Sequence, residues 1–201
     1  MGTVMEERLN MEKNIILVGV GGQGLITLGR ILGTTAINKG IKALTAETHG
    51  MAQRGGSVTV HVRIGDVESP LIPMGRADAI LGLELIETVR NLTYANKKTI
   101  LILNNRVIKP QIPKIKIPET EKLIKIIKET GLQFKLIDAL KLAIEAGSEI
   151  TQNVVMLGAL IKTNILKDIM NLKDVEETIK MMFSHRIAEI NIKALKLGFE
   201  A

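Results

Sequence analysis

The chain has 201 residues, with 27 Lys and Arg against 21 Asp and Glu for a net charge of +6, and it contains no cysteine. Without thiolates it can form no disulfide and hold no iron–sulfur cluster of its own, so redox centres, if the function needs them, lie in another molecule. One Tyr and no Trp leave almost no stacking platform for single-stranded nucleic acid, and lysines scattered over helix faces give no basic stripe, so no nucleic-acid partner is expected.

Residues 1 to 13 lack periodicity and read as a loose extension, followed by one domain from 14 to 201. No apolar run reaches the roughly 20 residues of a membrane span, and the acidic Glu6-Glu7 is unlike a secretory signal, so a cytoplasmic protein without membrane contact is expected. Asn14 to Val18 is a short apolar run that predicts a buried strand. The glycine turn Gly19 to Gly24 leads into a helix over Leu25 to Asn38, and Ile41 to Ala46 predicts a second strand, parallel to the first through a right-handed crossover. Ser57 to Ile64 alternates, with Val58, Val60, Val62 and Ile64 facing a core and Ser57, Thr59, His61 and Arg63 on a polar face.

Gly65-Asp66 reads as a hairpin turn into an edge strand over Val67 to Ile72, flanked by Pro70 and Pro73. Ala79 to Leu83 and Thr99 to Leu103 predict buried strands, with a short helix over Glu84 to Leu92 between them. Glu84 and Glu87 there read as a solvated ladder with Arg90. Pro110, Pro113 and Pro118 mark a connector. A helix over Glu119 to Thr130, a strand over Gln133 to Ile137, and a helix capped by Asp138 and running to Ala146 come next. Two last helices cover Asn153 to Leu166, apolar on nearly all sides, and Val175 to Leu197. The fold expected is three-layer α/β/α, a single domain on a mixed, mostly parallel sheet, with a Rossmann-like glycine turn after the first strand.

Two stretches carry chemistry. Gly19-Val-Gly21-Gly22-Gln23-Gly24 fits G-x-G-x-x-G between strand and helix, so its amides can meet an anion or simply let strand and helix pack closely. Glu47, at the end of the second strand, lies where a ribose-binding carboxylate is expected in a dinucleotide site. From Glu47 to Thr59 three glycines, Gly50, Gly55 and Gly56, stand among His49, Gln53, Arg54 and Ser57, which suits a site-forming loop. Arg54 can grip a carboxylate or phosphate bidentately, with Gln53 and Ser57 adding neutral hydrogen bonds. No Ser or Cys nucleophile pattern accompanies His49, and the spacing of His49 and His61 matches no metal motif, so neither a catalytic residue nor a metal site is assigned here.

The glycine turn, His49-Gly-Met-Ala-Gln-Arg-Gly-Gly-Ser57, Ser69-Pro-Leu-Ile-Pro73 and Asn153-x-x-x-Leu-Gly158 together resemble the gamma-type domain of the 2-oxoacid:ferredoxin oxidoreductases over Asn14 to about Gly198. The His49 to Ser57 version looks most like the branch acting on indolepyruvate. The resemblance implies a subunit that shares in oxidative decarboxylation of an aryl 2-oxoacid to its acyl-CoA, with electrons passed to ferredoxin through the complex. It places thiamine diphosphate, magnesium and iron–sulfur clusters in a large partner subunit, leaves this chain without a cofactor and inactive alone, and makes coenzyme A a co-substrate. His49, Gln53, Arg54 and Ser57 would then contact substrate or coenzyme A, and Gly19, Gly21, Gly22, Gln23 and Gly24 would form an anion or interface turn supported by Glu47, Gly55 and Gly56. Three alternatives remain at this point. One is a stand-alone dinucleotide-binding oxidoreductase, another the gamma subunit of a pyruvate or 2-oxoglutarate enzyme, and the last a structural module docking through Asn153 to Leu166. Self-association of the isolated chain also stays open.

Overall fold

A computed structural model describes residues 12–50, 55–109 and 117–201. Among them six strands form one sheet in the order β2-β3-β1-β4-β5-β6: β1 Lys13–Val20, β2 Ala43–His49, β3 Ser57–Ile64, β4 Ala77–Gly82, β5 Ala95–Asn104 and β6 Gln133–Ile137. β3 alone runs against the others, pairing antiparallel with both β1 and β2, while β1, β4, β5 and β6 pair in parallel. The helices are α1 Leu25–Asn38, α2 Leu85–Arg90, α3 Thr120–Glu129, α4 Ala139–Ala146, α5 Gln152–Lys162, α6 Leu172–Met182 and α7 His185–Glu200.

Strands that alternate or run continuously apolar must be covered on each apolar face. One face, with Ile15, Leu17, Val60 and Leu81, is covered by side chains of α1, α4, α5, α6 and α7. The other, with Ile16, Val18, Ile80 and Leu101, is covered by Leu85 of α2, Leu123 and Ile127 of α3, and Ile72. The three-layer α/β/α expectation holds. Helix α5 is buried from Asn153 through Ile161, and Gly158 and Gly198 let its backbone touch that of α7, since a Cβ on either would strike the facing main chain at Leu195 or Val155. Its apolar surface is therefore satisfied inside the chain, which removes the reason for reading it as a docking face. No described helix is long and apolar enough to cross a membrane.

Four features add to or depart from what the sequence predicts. β1 and β2 point the same way but do not pair, because β3 lies between them. The polar face of β3 is not solvated. Thr59 and His61 are buried, under α2 and the chain that follows β3. Each polar side chain of the row has a partner there: Ser57 Oγ donates to Glu87, Thr59 Oγ1 to Asn91, and Arg63 to Asn14. His61 Nδ1 accepts the Ile72 amide at 3.1 Å and its ring stands edge-on to Tyr94 at 5.3 Å. Left unpaired, each would cost about 1–3 kcal/mol on burial, so this row is a second, hydrogen-bonded core layer.

Val67 to Ile72 forms no strand. Pro70 and Pro73 lack a ladder donor, and the Ile72 amide goes to His61 instead of a neighbouring strand. Finally, the helix predicted over Val175 to Leu197 is two. Phe183 and Ser184 take extended backbone between α6 and α7, and α6 begins earlier than expected, at a capping box in which Asn171 and Asp174 each accept the other's amide.

Candidate functional site

Because β3 runs antiparallel, its first residue lies at the same sheet edge as the last residues of β1 and β2: Val20 pairs with Ser57, and His49 with Val58. The two segments singled out in the sequence therefore meet. The Gly21 amide donates to the Gly56 carbonyl at 2.9 Å and the Gly50 amide to the Ser57 carbonyl at 2.9 Å.

Gly19 belongs to β1 rather than to the turn, opposite Val58. Its missing side chain leaves room for Gln23, whose Oε1 accepts the Val20 amide at 2.7 Å and whose Nε2 donates to the Leu83 carbonyl at 3.0 Å. Gln23 thus staples the ends of β1 and β4. Gly21 lies against Gly55 and Gly56. Gly24, the N-cap of α1 with φ 77°, takes a conformation costly for other residues and lies under Asn153, whose Nδ2 donates to its carbonyl at 3.2 Å. Gly22, with φ 98°, has nothing within 4 Å of where a Cβ would stand and faces open space. Packing thus accounts for three of these glycines, and Gly22 alone is turned outward.

Ser57 Oγ donates to Glu87 Oε2 at 2.5 Å, and the other carboxylate oxygen receives Arg90 at 2.8 Å. Glu84 and Glu87 are 1% and 5% exposed, not a solvated ladder. Glu84 caps α2: one oxygen accepts the Glu87 amide at 2.8 Å and the other the Ile108 amide at 3.1 Å. Burial holds its carboxyl above the ordinary carboxylate range, although the two amides pull it down. At the end of β5, buried Asn104 accepts the Ala139 amide at 3.3 Å and donates to the Leu83 carbonyl at 3.4 Å.

His49 Nε2 lies 3.3 Å from Glu47 Oε2 at the exposed end of β2. Glu47 is opposite Val60, which is opposite Leu17, so two strand spacings, about 10 Å, separate it from β1. A dinucleotide site of the expected kind needs that carboxylate on the strand next to the glycine turn, and here β3 occupies the place. Gln53 and Arg54 fall outside the described residues. Among the described residues no three His, Asp or Glu groups cluster as metal ligands.

The model of the pyruvate ferredoxin/flavodoxin oxidoreductase family matches residues 14–201. The chain belongs to that family. Among its relatives in the family, the indolepyruvate oxidoreductase subunit IorB of Archaeoglobus fulgidus is 42% identical, covering 94% of each chain. The subunit IorB of Pyrococcus horikoshii is 39% identical over 94% of this chain and 96% of its own. A common gamma subunit of pyruvate/ketoisovalerate oxidoreductases from Pyrococcus abyssi is 31% identical over 90% of this chain and 92% of its own. In fold, the chain is like the pyruvate oxidoreductase subunit PORC of Thermotoga maritima, with a TM-score of 0.71 at 23% identity, covering 94% of this chain and 96% of that one.

Sequence reasoning passed over Arg106, Glu149 and Gln152, which line one cleft with Gly22 and Gln23 of the glycine turn. The signal available was position: Arg106 follows the strand end at Asn104 and Asn105. Glu149 and Gln152 sit in a helical turn with no motif, and only the packing of α5 brings them there.

Proposed function

We propose that this chain is the thiamine-free subunit of a 2-oxoacid:ferredoxin oxidoreductase that converts indolepyruvate and other aryl 2-oxoacids to acyl-CoA in the cytoplasm. The observation that carries the reading is the 42% and 39% identity, nearly end to end, to two subunits named for indolepyruvate oxidoreductase, against 31% for the pyruvate/ketoisovalerate relative. The absence of cysteine agrees with iron–sulfur clusters and thiamine diphosphate, with its magnesium, being held by a larger partner, through which ferredoxin is reduced.

Carbanion stabilisation then belongs to the partner's cofactor, and this chain contributes binding and orientation. The rim of the glycine turn and the His49 to Ser57 loop faces the partner's reaction centre or the approach of coenzyme A. Arg54 meets the substrate carboxylate or a coenzyme A phosphate, His49 and Gln53 orient neighbouring groups, and Gly21, Gly55 and Gly56 allow close approach of backbone. Gln23 supports the rim through its staple across β1 and β4. Affinity purification of the tagged chain from its native cell tests this: a companion carrying thiamine diphosphate and iron should come with it, and its repeated absence would reject the reading.

A further inference from the structure

Among the described residues β2 pairs with β3 alone, which leaves its other side an edge of the sheet. The hydrogen bonds at the two ends of this pairing fix which backbone groups lie on that edge. The Gly65 amide donates to the Lys42 carbonyl at 2.8 Å, and the Gly50 amide to the Ser57 carbonyl at 2.9 Å. In an antiparallel ladder, residues that bond to the neighbour alternate with residues that bond away from it. Leu44, Ala46 and Thr48 therefore turn their N–H and C=O groups to β3, while Ala43, Thr45, Glu47 and His49 present theirs at the edge.

Such an edge is a template for another strand, and proteins ordinarily blunt it with proline, lysine, a bulge or shortness. β6, at the other end of the sheet, is five residues long and carries Lys135. β2 is seven residues long, has no proline, lysine or glycine, and keeps register with β3 throughout. Thr45, Glu47, Thr48 and His49 are exposed, and its one carboxylate, Glu47, has His49 beside it at 3.3 Å.

The strand is also complementary to itself. On a second β2 placed antiparallel about a two-fold axis at Ala46, every residue from Ala43 to His49 meets a strand residue, and outward groups meet outward groups. Glu47 then stands opposite Thr45, whose hydroxyl can donate to the carboxylate, and the small Ala46 stands opposite itself. An axis at Glu47 would set two carboxylates directly opposite, which is destabilising. Axes nearer either end leave part of the strand unpaired, and an axis between residues sets outward groups against inward ones.

We propose that two copies of this chain join antiparallel through β2, about a two-fold axis at Ala46. The two sheets then run on as one. Because the joined strands are antiparallel, the rims carrying Gly22 and His49 lie at opposite edges of the combined sheet, and neither covers the other. The inference rests on the strand alone and is independent of the oxoacid reading.

The absence of cysteine gives a direct test on the full chain, since a single introduced thiol can pair only with its own copy. Ala46 opposite Ala46 is a pair without backbone bonds between the copies, with Cα atoms about 4.5 Å apart, within the roughly 4.4–6.8 Å that a disulfide spans. With oxidised glutathione, Ala46→Cys should link into dimers about tenfold faster or more than Thr48→Cys, whose two copies stand too far out of step to be bridged. Light scattering should show a dimer that dissociates on dilution. Through that transition the Thr45 and Glu47 amides should lose protection from hydrogen exchange, while the Ala46 and Thr48 amides keep it. Thr45→Pro, which removes an amide bonded across the axis, should raise the dimer dissociation constant by about tenfold or more, and Thr45→Val, which keeps the amide, should leave it unchanged. A chain monomeric at every concentration, equal linking of the two cysteine variants, or Thr45→Pro dimerising as the unaltered chain does would overturn the proposal. So would protection of the Thr45 and Glu47 amides in the monomer, which would mean that another part of the chain covers the edge.

Discussion

Ser57 Oγ and Glu87 Oε2 stand 2.5 Å apart, tying the start of β3, where the glycine-rich loop ends, to a buried carboxylate on α2. Arg90 holds the other oxygen of Glu87, so the pair joins the loop, the sheet and α2 in one connected group.

Replacing Ser57 with Ala removes the donor and leaves that oxygen buried. The chain should lose about 1–3 kcal/mol of stability. Urea unfolding checks this through a lower midpoint at unchanged slope. A midpoint equal to that of the unaltered chain would mean that the bond contributes nothing net.

Gly24 and Gly21 should respond differently to Ala. At Gly24 the left-handed backbone costs about 1–2 kcal/mol for any other residue, and the new Cβ would strike Asn153. At Gly21 a Cβ meets only Gly55 and Gly56 at 3.6 Å and beyond. Gly24→Ala should therefore lower the thermal midpoint by several degrees, while Gly21→Ala stays within about 0.5 kcal/mol of the parent. Equal behaviour would show that the turn relaxes around either change.

His61 should make stability depend on pH. Burial pushes its imidazole below its ordinary value, so the unfolded chain takes up the proton first. This group's contribution is complete above the ordinary histidine value of about 6.5 and declines as pH falls from there towards the lowered folded value. Glu84, whose carboxyl is raised, contributes with the opposite sign: its folded form holds a proton longer, so its contribution declines as pH rises through the range above its ordinary value. The difference between the unaltered chain and His61→Asn isolates the histidine, because Asn can still accept from the Ile72 amide and does not titrate. Urea midpoints at pH 5 and pH 7 should differ more in the unaltered chain than in His61→Asn.

Much of the fold was legible because its signals are local. The apolar run before Gly19, the glycines and the helix to Asn38 each depend on neighbours in sequence, and their expected order matches the structure. The place of β3 was not legible, since strand pairing is a contact between distant segments and nothing in Ile41 to Ala46 reveals which neighbour that strand takes. The row Ser57, Thr59, His61 and Arg63 was legible only as a polar face, because alternation reports polarity and does not say whether a polar side chain meets water or a buried partner. Glu87, Asn91 and Ile72 supply those partners from elsewhere in the chain. The break at Phe183 and Ser184 is hidden for another reason: apolar spacing continues across it. At the site, the meeting of the glycine turn with the His49 to Ser57 loop was legible as two conspicuous motifs. Arg106 and Glu149 were not, because neither stands in a pattern.

The proposed function is tested most directly by ferredoxin reduction in the complex rebuilt from this chain and the proposed thiamine-bearing partner, with indolepyruvate and pyruvate compared at equal concentration in the presence of coenzyme A. The complex should turn over indolepyruvate in preference, the chain alone should reduce nothing, and Arg54→Ala should lower kcat/KM by about tenfold or more while assembly persists, as loss of a charge-assisted contact to an anion predicts. Turnover by the chain alone, or a complex that prefers pyruvate, would contradict it.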